Sequence, residues 1–94
     1  MRSNKLKDFI REEFIGLNVL VYRCGIKSLE GIYGNIIDET KNTFVIETGN
    51  KRLIVPKAIS KFLFFYNGYI IFVDGKLINK RPWERIKIKI VKKV

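Results

Sequence analysis

The sequence predicts a mainly β fold, a small antiparallel barrel with a short N-terminal helix. Three observations point to it. The 94 residues suffice for one domain only, yet 47% are apolar and 13% aromatic, enough to build a buried core. From residue 17 onward the apolar positions recur with a period near two, as in strands buried on one face. Turn residues interrupt that alternation at short intervals, as a small antiparallel barrel requires. The expected layout is a single domain over 1–94, with the helix in 1–14, the barrel in 15–91 and a basic tail in 92–94.

Ser3 is placed to cap a helix whose apolar positions Leu6, Phe9, Ile10 and Phe14 follow the three-and-four spacing of one face. Lys5, Lys7, Asp8, Arg11 and Glu12 fall on the other side. After Gly16 the pattern changes, and Leu17, Val19 and Val21 alternate with Asn18, Leu20 and Tyr22. Turn signals at Cys24-Gly25 to Gly31, Asp38 to Asn42, Gly49-Asn50, Asn67-Gly68 and Asp74-Gly75 bound the expected strands. These cover 17–23, 31–38, 43–48, 51–56, 61–66, 69–74 and 86–91. Asn67-Gly68 is the strongest local signal, because a type I′ turn needs positive φ at both central residues and this pair tolerates it best. A two-residue loop sets Tyr66 opposite Tyr69, Phe65 opposite Ile70, Phe64 opposite Ile71 and Leu63 opposite Phe72. Lys61 then faces Asp74 as a cross-strand ion pair. Both faces of this hairpin are apolar. One lines the core, and the other needs cover from the N-terminal helix or from a second protein. Pro56 closes a strand, and Pro82 starts a helical turn before the last one.

The formal charge is +10, and its placement says more than its size. Residues 1–13 carry four basic and three acidic groups, residues 14–50 three and four, and residues 51–94 twelve and two. Such asymmetry attracts polyanions, of which nucleic acid is the commonest in a cell. A lysine- and isoleucine-rich genomic background would also produce basicity without binding. The absence of histidine removes the commonest general base, and a lone cysteine, Cys24, excludes an intrachain disulfide and the usual zinc sites. No apolar run approaches the roughly 18–20 residues of a membrane span, and the first 14 residues lack a signal-peptide core. The expected location is cytoplasmic.

A metal-dependent nuclease would need converging carboxylates, for which Asp38, Glu39 and Asp74 are the candidates, with Glu47 and Glu84 more distant. Adjacent Asp38 and Glu39 point apart in a strand and suit a turn, so turn chemistry is the expected role. Cys24 is expected to be a small buried apolar residue. The expected nucleic-acid-binding set is Lys76, Lys80, Arg81, Arg85, Lys87 and Lys89, followed by Lys92 and Lys93. Lys87 and Lys89 alternate with Ile86, Ile88 and Ile90, which makes a cationic row beside an apolar stripe. Arg81 and Arg85, four residues apart, share one side of a helical turn and suit phosphate oxygens. Lysines on an edge strand also prevent aggregation, the plainer role for part of that row. Trp83 and the tyrosines could stack on bases, although aromatics in such strands usually belong to the core.

Two segments, Leu29-Glu30-Gly31-Ile32-Tyr33-Gly34-Asn35-Ile36-Ile37-Asp38-Glu39-Thr40-Lys41-Asn42-Thr43 and Asp74-Gly75-Lys76-Leu77-Ile78-Asn79-Lys80-Arg81-Pro82-Trp83-Glu84-Arg85-Ile86-Lys87, resemble the archaeal ribonuclease P protein component 1 family. With the lead-in Ile15-Gly16-Leu17, the resemblance spans about residues 14–87. Trp83 departs from it, standing where the family usually has an acidic residue, while Arg81, Glu84 and Arg85 match. The resemblance implies an Sm-like barrel and a noncatalytic, RNA-binding subunit of an endoribonuclease. In that enzyme the RNA subunit removes the 5′ leader from precursor tRNA. It implies no cofactor on this chain and Mg²⁺ for the RNA-based reaction. It also implies pairing with a zinc-ribbon protein, ribonuclease P protein component 4, for which the expected contact residues are Leu6, Phe9, Ile10 and Phe14. A basic barrel of the ribosome or translation machinery, or a free-standing nuclease, remains the alternative.

Overall fold

A computed structural model describes residues 14–78 and, as backbone, 89–93. Seven antiparallel strands form one sheet: β1 Asn18–Cys24, β2 Tyr33–Glu39, β3 Thr43–Thr48, β4 Lys51–Pro56, β5 Ser60–Tyr66, β6 Tyr69–Asp74 and β7 Lys89–Lys93. Their spatial order is β4-β3-β2-β1-β5-β6-β7. Short 3₁₀ turns at Lys27–Leu29 and Gly75–Leu77 follow β1 and β6. The helix expected over 1–14 lies outside the described residues, apart from Phe14.

One face of every strand from β1 to β6 enters a common core. Val19 and Val21, Ile36, Phe44 and Ile46, Val55, Phe62 and Phe64, and Ile71 and Val73 are all at most 1% exposed. The sheet must curl to bring them together. Strands β3 and β5 are separated by two others, about 14 Å on a flat sheet at roughly 4.8 Å per step. Yet the rings of Phe44 and Phe62 lie 5.3 Å apart, centroid to centroid. Three register shifts supply the bending: between Val21 and Arg23 in β1, between Ile36 and Asp38 in β2, and where β6 meets β7. Gly34 packs where a side chain would strike the Glu47 carbonyl, so β2 and β3 approach closely there.

The β5–β6 hairpin has the expected register throughout, from Tyr66 opposite Tyr69 to Lys61 opposite Asp74. Asn67 and Gly68 both have positive φ, 50° and 82°. The expected Lys61–Asp74 ion pair does not form. Asp74 turns instead to cap the following 3₁₀ turn, where its Oδ1 accepts the Lys76 backbone N–H at 3.1 Å. Strand β2 begins at Tyr33 rather than at 31, because Gly31, at φ 89°, completes the turn before it. Strand β7 reaches Lys93, so two of the residues assigned to a tail belong to the sheet.

Phe14 requires a correction. Expected on a partner-binding helix face, it is 1% exposed and fills the core. Gly16, at φ 95°, turns the chain so that the Leu17 N–H bonds the Phe14 carbonyl, and the Gly16 N–H bonds Ile36 of β2. That turn carries the Phe14 ring to within 5.0 Å of Phe64 and 5.5 Å of Phe44.

Candidate nucleic-acid interface

The β1 bulge has a chemical consequence. Strict alternation after Val19 and Val21 would send residue 23 into the core, but the extra residue at Tyr22 resets the phase. Cys24 therefore turns inward, and Tyr22 and Arg23 both stay outside. Arg23 stands opposite Lys61 on β5, and Lys61 stands opposite Asp74 on β6, so the three positions run across adjacent strands. The two 3₁₀ turns add Lys27 on one side and Lys76 on the other. Together these residues line a cleft of about 360 Å³ whose floor and rim include Cys24, Gly25, Ala58, Ile59 and Ser60. Four cations face two carboxylates, Glu30 and Asp74. Glu30 bridges Arg23 and Lys27 at 3.5 Å each, which holds both near the opening.

Two carboxylates outside the cleft, Asp38 and Glu39, serve the fold. Expected in a turn, they end strand β2 beside its bulge, and Asp38 accepts the Glu39 N–H at 2.8 Å. Glu39 meets Lys57, whose side chain is 3% exposed, at 2.7 Å. The Lys57 ammonium also donates to the carbonyls of Thr40 and Lys41 and lies 4.8 Å from the centre of the Phe44 ring. The turn after β2 is thus tied to the loop after β4 by one buried cation. Among the described residues no three acidic or thiol groups gather to hold a metal ion. Nor is any helix there long and apolar enough to cross a membrane.

Of the expected RNA-binding residues, Lys76 lies in the cleft and Lys89 stands in β7 opposite Phe72. Lys80, Arg81, Arg85 and Lys87 fall outside the described residues, as do Leu6, Phe9 and Ile10. Arg23, Lys27 and Lys61 are cleft residues that the sequence reading missed. The clue was the break of phase in Val19-Leu20-Val21-Tyr22-Arg23-Cys24, two outward residues in succession. The outer face of the β5–β6 hairpin is apolar, as its pattern requires. Tyr22 packs edge-on against Phe72 and Tyr33 against Phe65, and both tyrosines are exposed.

A curled, bulged barrel that presents a cationic cleft beside an apolar sheet face defines a binding module. Residues 7–88 match the family described as "Ribonuclease P/MRP, subunit p29". Ribonuclease P protein component 1 of Methanocaldococcus jannaschii is 44% identical over 84 residues, covering 88% of each chain. That of Methanosphaera stadtmanae is also 44% identical, over 92% of this chain and 94% of its own. A solved structure described as Mth11, a homologue of the human RNase P protein Rpp29, is 39% identical. It superposes with a TM-score of 0.59, covering 80% of this chain and 99% of that one. The chain belongs to the ribonuclease P/MRP subunit p29 family: it is a protein subunit of a ribonucleoprotein endoribonuclease, not the catalyst itself. None of these relatives is a ribosomal or translation protein.

Proposed function

We propose that this subunit supports removal of the 5′ leader from precursor tRNA by binding and steadying the RNA subunit of ribonuclease P. The observation that carries this reading is the match to ribonuclease P protein component 1 along nearly the whole chain. The charge supports it, since ten net positive charges on 94 residues would offset phosphate repulsion in a folded RNA. Mg²⁺ would then serve the RNA, with no metal held by this chain. Leu6, Phe9 and Ile10 are proposed to meet the zinc-ribbon subunit, and the basic residues Lys76, Lys80, Arg81, Arg85, Lys87 and Lys89 the RNA, in a complex working in the cytoplasm. The test is to capture the protein from its native cells and sequence the accompanying RNA. Ribonuclease P RNA is the expected species, and ribosomal RNA in its place would sink the reading.

A further inference from the structure

We infer that the cleft at the bulged end of β1 holds the phosphodiester backbone of an RNA strand, gripped by Arg23, Lys27, Lys61 and Lys76. This rests on the proposed RNA-binding role and adds Arg23, Lys27 and Lys61 to Lys76 of the set already proposed.

Three observations on the cleft support it. First, two cations, Arg23 and Lys61, face each other directly across β1 and β5. Like charges in that position cost stability unless something between them is negative. Second, Lys61 passes over its cross-strand neighbour Asp74, which is engaged with the Lys76 N–H. Among the described residues neither Lys61 nor Lys76 has a carboxylate at ion-pair distance, so both ammonium groups are available to the cleft. Third, the Tyr22 bulge keeps Arg23 outside, where Glu30 orients it without enclosing it. A guanidinium so placed can grip two oxygens of one phosphate while the lysines act on its neighbours as point charges. Exposed Ile59 lines the cleft, and it offers apolar contact to sugar or base without selecting among bases. The site is therefore suited to backbone, independent of sequence.

The test uses the full chain and transcribed ribonuclease P RNA, with affinity measured across a salt series. Lys27→Ala with Lys61→Ala removes two exposed cations and leaves the Arg23–Glu30 bridge intact. Affinity should fall about ten- to a hundredfold at low salt, and the log–log salt slope should shrink by about two units, one per lost phosphate contact. Lys27→Arg with Lys61→Arg should restore both. Wild-type affinity and slope in the alanine pair would overturn the inference while leaving the RNA-binding role standing. Failure of the wild-type chain to bind this RNA would instead remove that role itself. Alanine variants that bind RNA normally but lose a protein subunit during reconstitution would make the cleft a site for an acidic protein surface, and would also overturn it.

Discussion

Lys57 is the residue whose chemistry is least visible in the sequence and most consequential in the fold. Its ammonium is buried beside one carboxylate and two carbonyls, so the two halves of the pair are not equivalent. Glu39→Ala leaves a charge in the interior and should cost about 3 kcal/mol, the lower end for breaking a buried pair. Lys57→Met leaves Glu39 where water reaches it, and should cost less. Urea midpoints of the two variants check the order, and an equal or reversed ranking would contradict it. Glu39→Gln keeps an oxygen acceptor for Lys57. Combined with Asp38→Asn, it should leave reconstituted precursor-tRNA cleavage within about tenfold of wild type, roughly 1.4 kcal/mol. A collapse of several orders of magnitude, rescued by Mn²⁺ without loss of assembly, would show a catalytic ion there. Gly75 sits against the Lys57 and Ser60 carbonyls with no room for a methyl group. Gly75→Ala should lower stability by about 3 kcal/mol, the upper end of overpacking costs, read from the same midpoints.

At the level of elements, the β5–β6 hairpin was fully legible because its turn and its alternation agree. Asn67-Gly68 fixes the loop length, and the loop length fixes every pair behind it. Gly68→Val forces a branched residue to φ 82° and should cost about 1–2 kcal/mol in thermal unfolding, with amide exchange rising first along Tyr66 and Tyr69. The bulge in β1 was less legible, since one extra residue shifts the phase only where a partner strand defines it. Lys57 was opaque for a related reason. A lysine after a proline reads as surface, and its burial depends on a turn 16–18 residues earlier folding over it. The three-and-four spacing grouped Phe14 with Leu6, Phe9 and Ile10, but the glycine turn that follows Phe14 holds its ring in the core. On the partner role proposed for Leu6, Phe9 and Ile10, Phe9→Asp should weaken binding of the zinc-ribbon subunit far more than it lowers the melting temperature. Full partner affinity in a chain lacking residues 1–13 would remove that role.

Across the whole molecule, the charge asymmetry predicts cations beyond residue 78 as the larger share of RNA affinity. Replacing Arg81, Arg85, Lys87 and Lys89 with Ala should reduce affinity and flatten the salt slope by up to about four units, with melting unchanged. An unaltered slope would exclude those residues. The strand order carries one more consequence, for how the chain folds. Strands β2, β3 and β4 form one local meander and β5 and β6 another, each closed by short turns. Between these two blocks the sheet is continuous only through β1, which meets β2 nearby in sequence but reaches β5 across about forty residues. Closing that seam is the slow, entropically costly event, so folding should run on the millisecond-to-second scale of domains rich in non-local pairing. Val19→Ala, in β1 beside Phe64, should slow refolding in stopped-flow measurements, whereas Ile46→Val, inside the first meander, should chiefly speed unfolding. A chain emerging from the ribosome thus completes its first meander early, but β1 stays unpaired along one edge until β5 has been made.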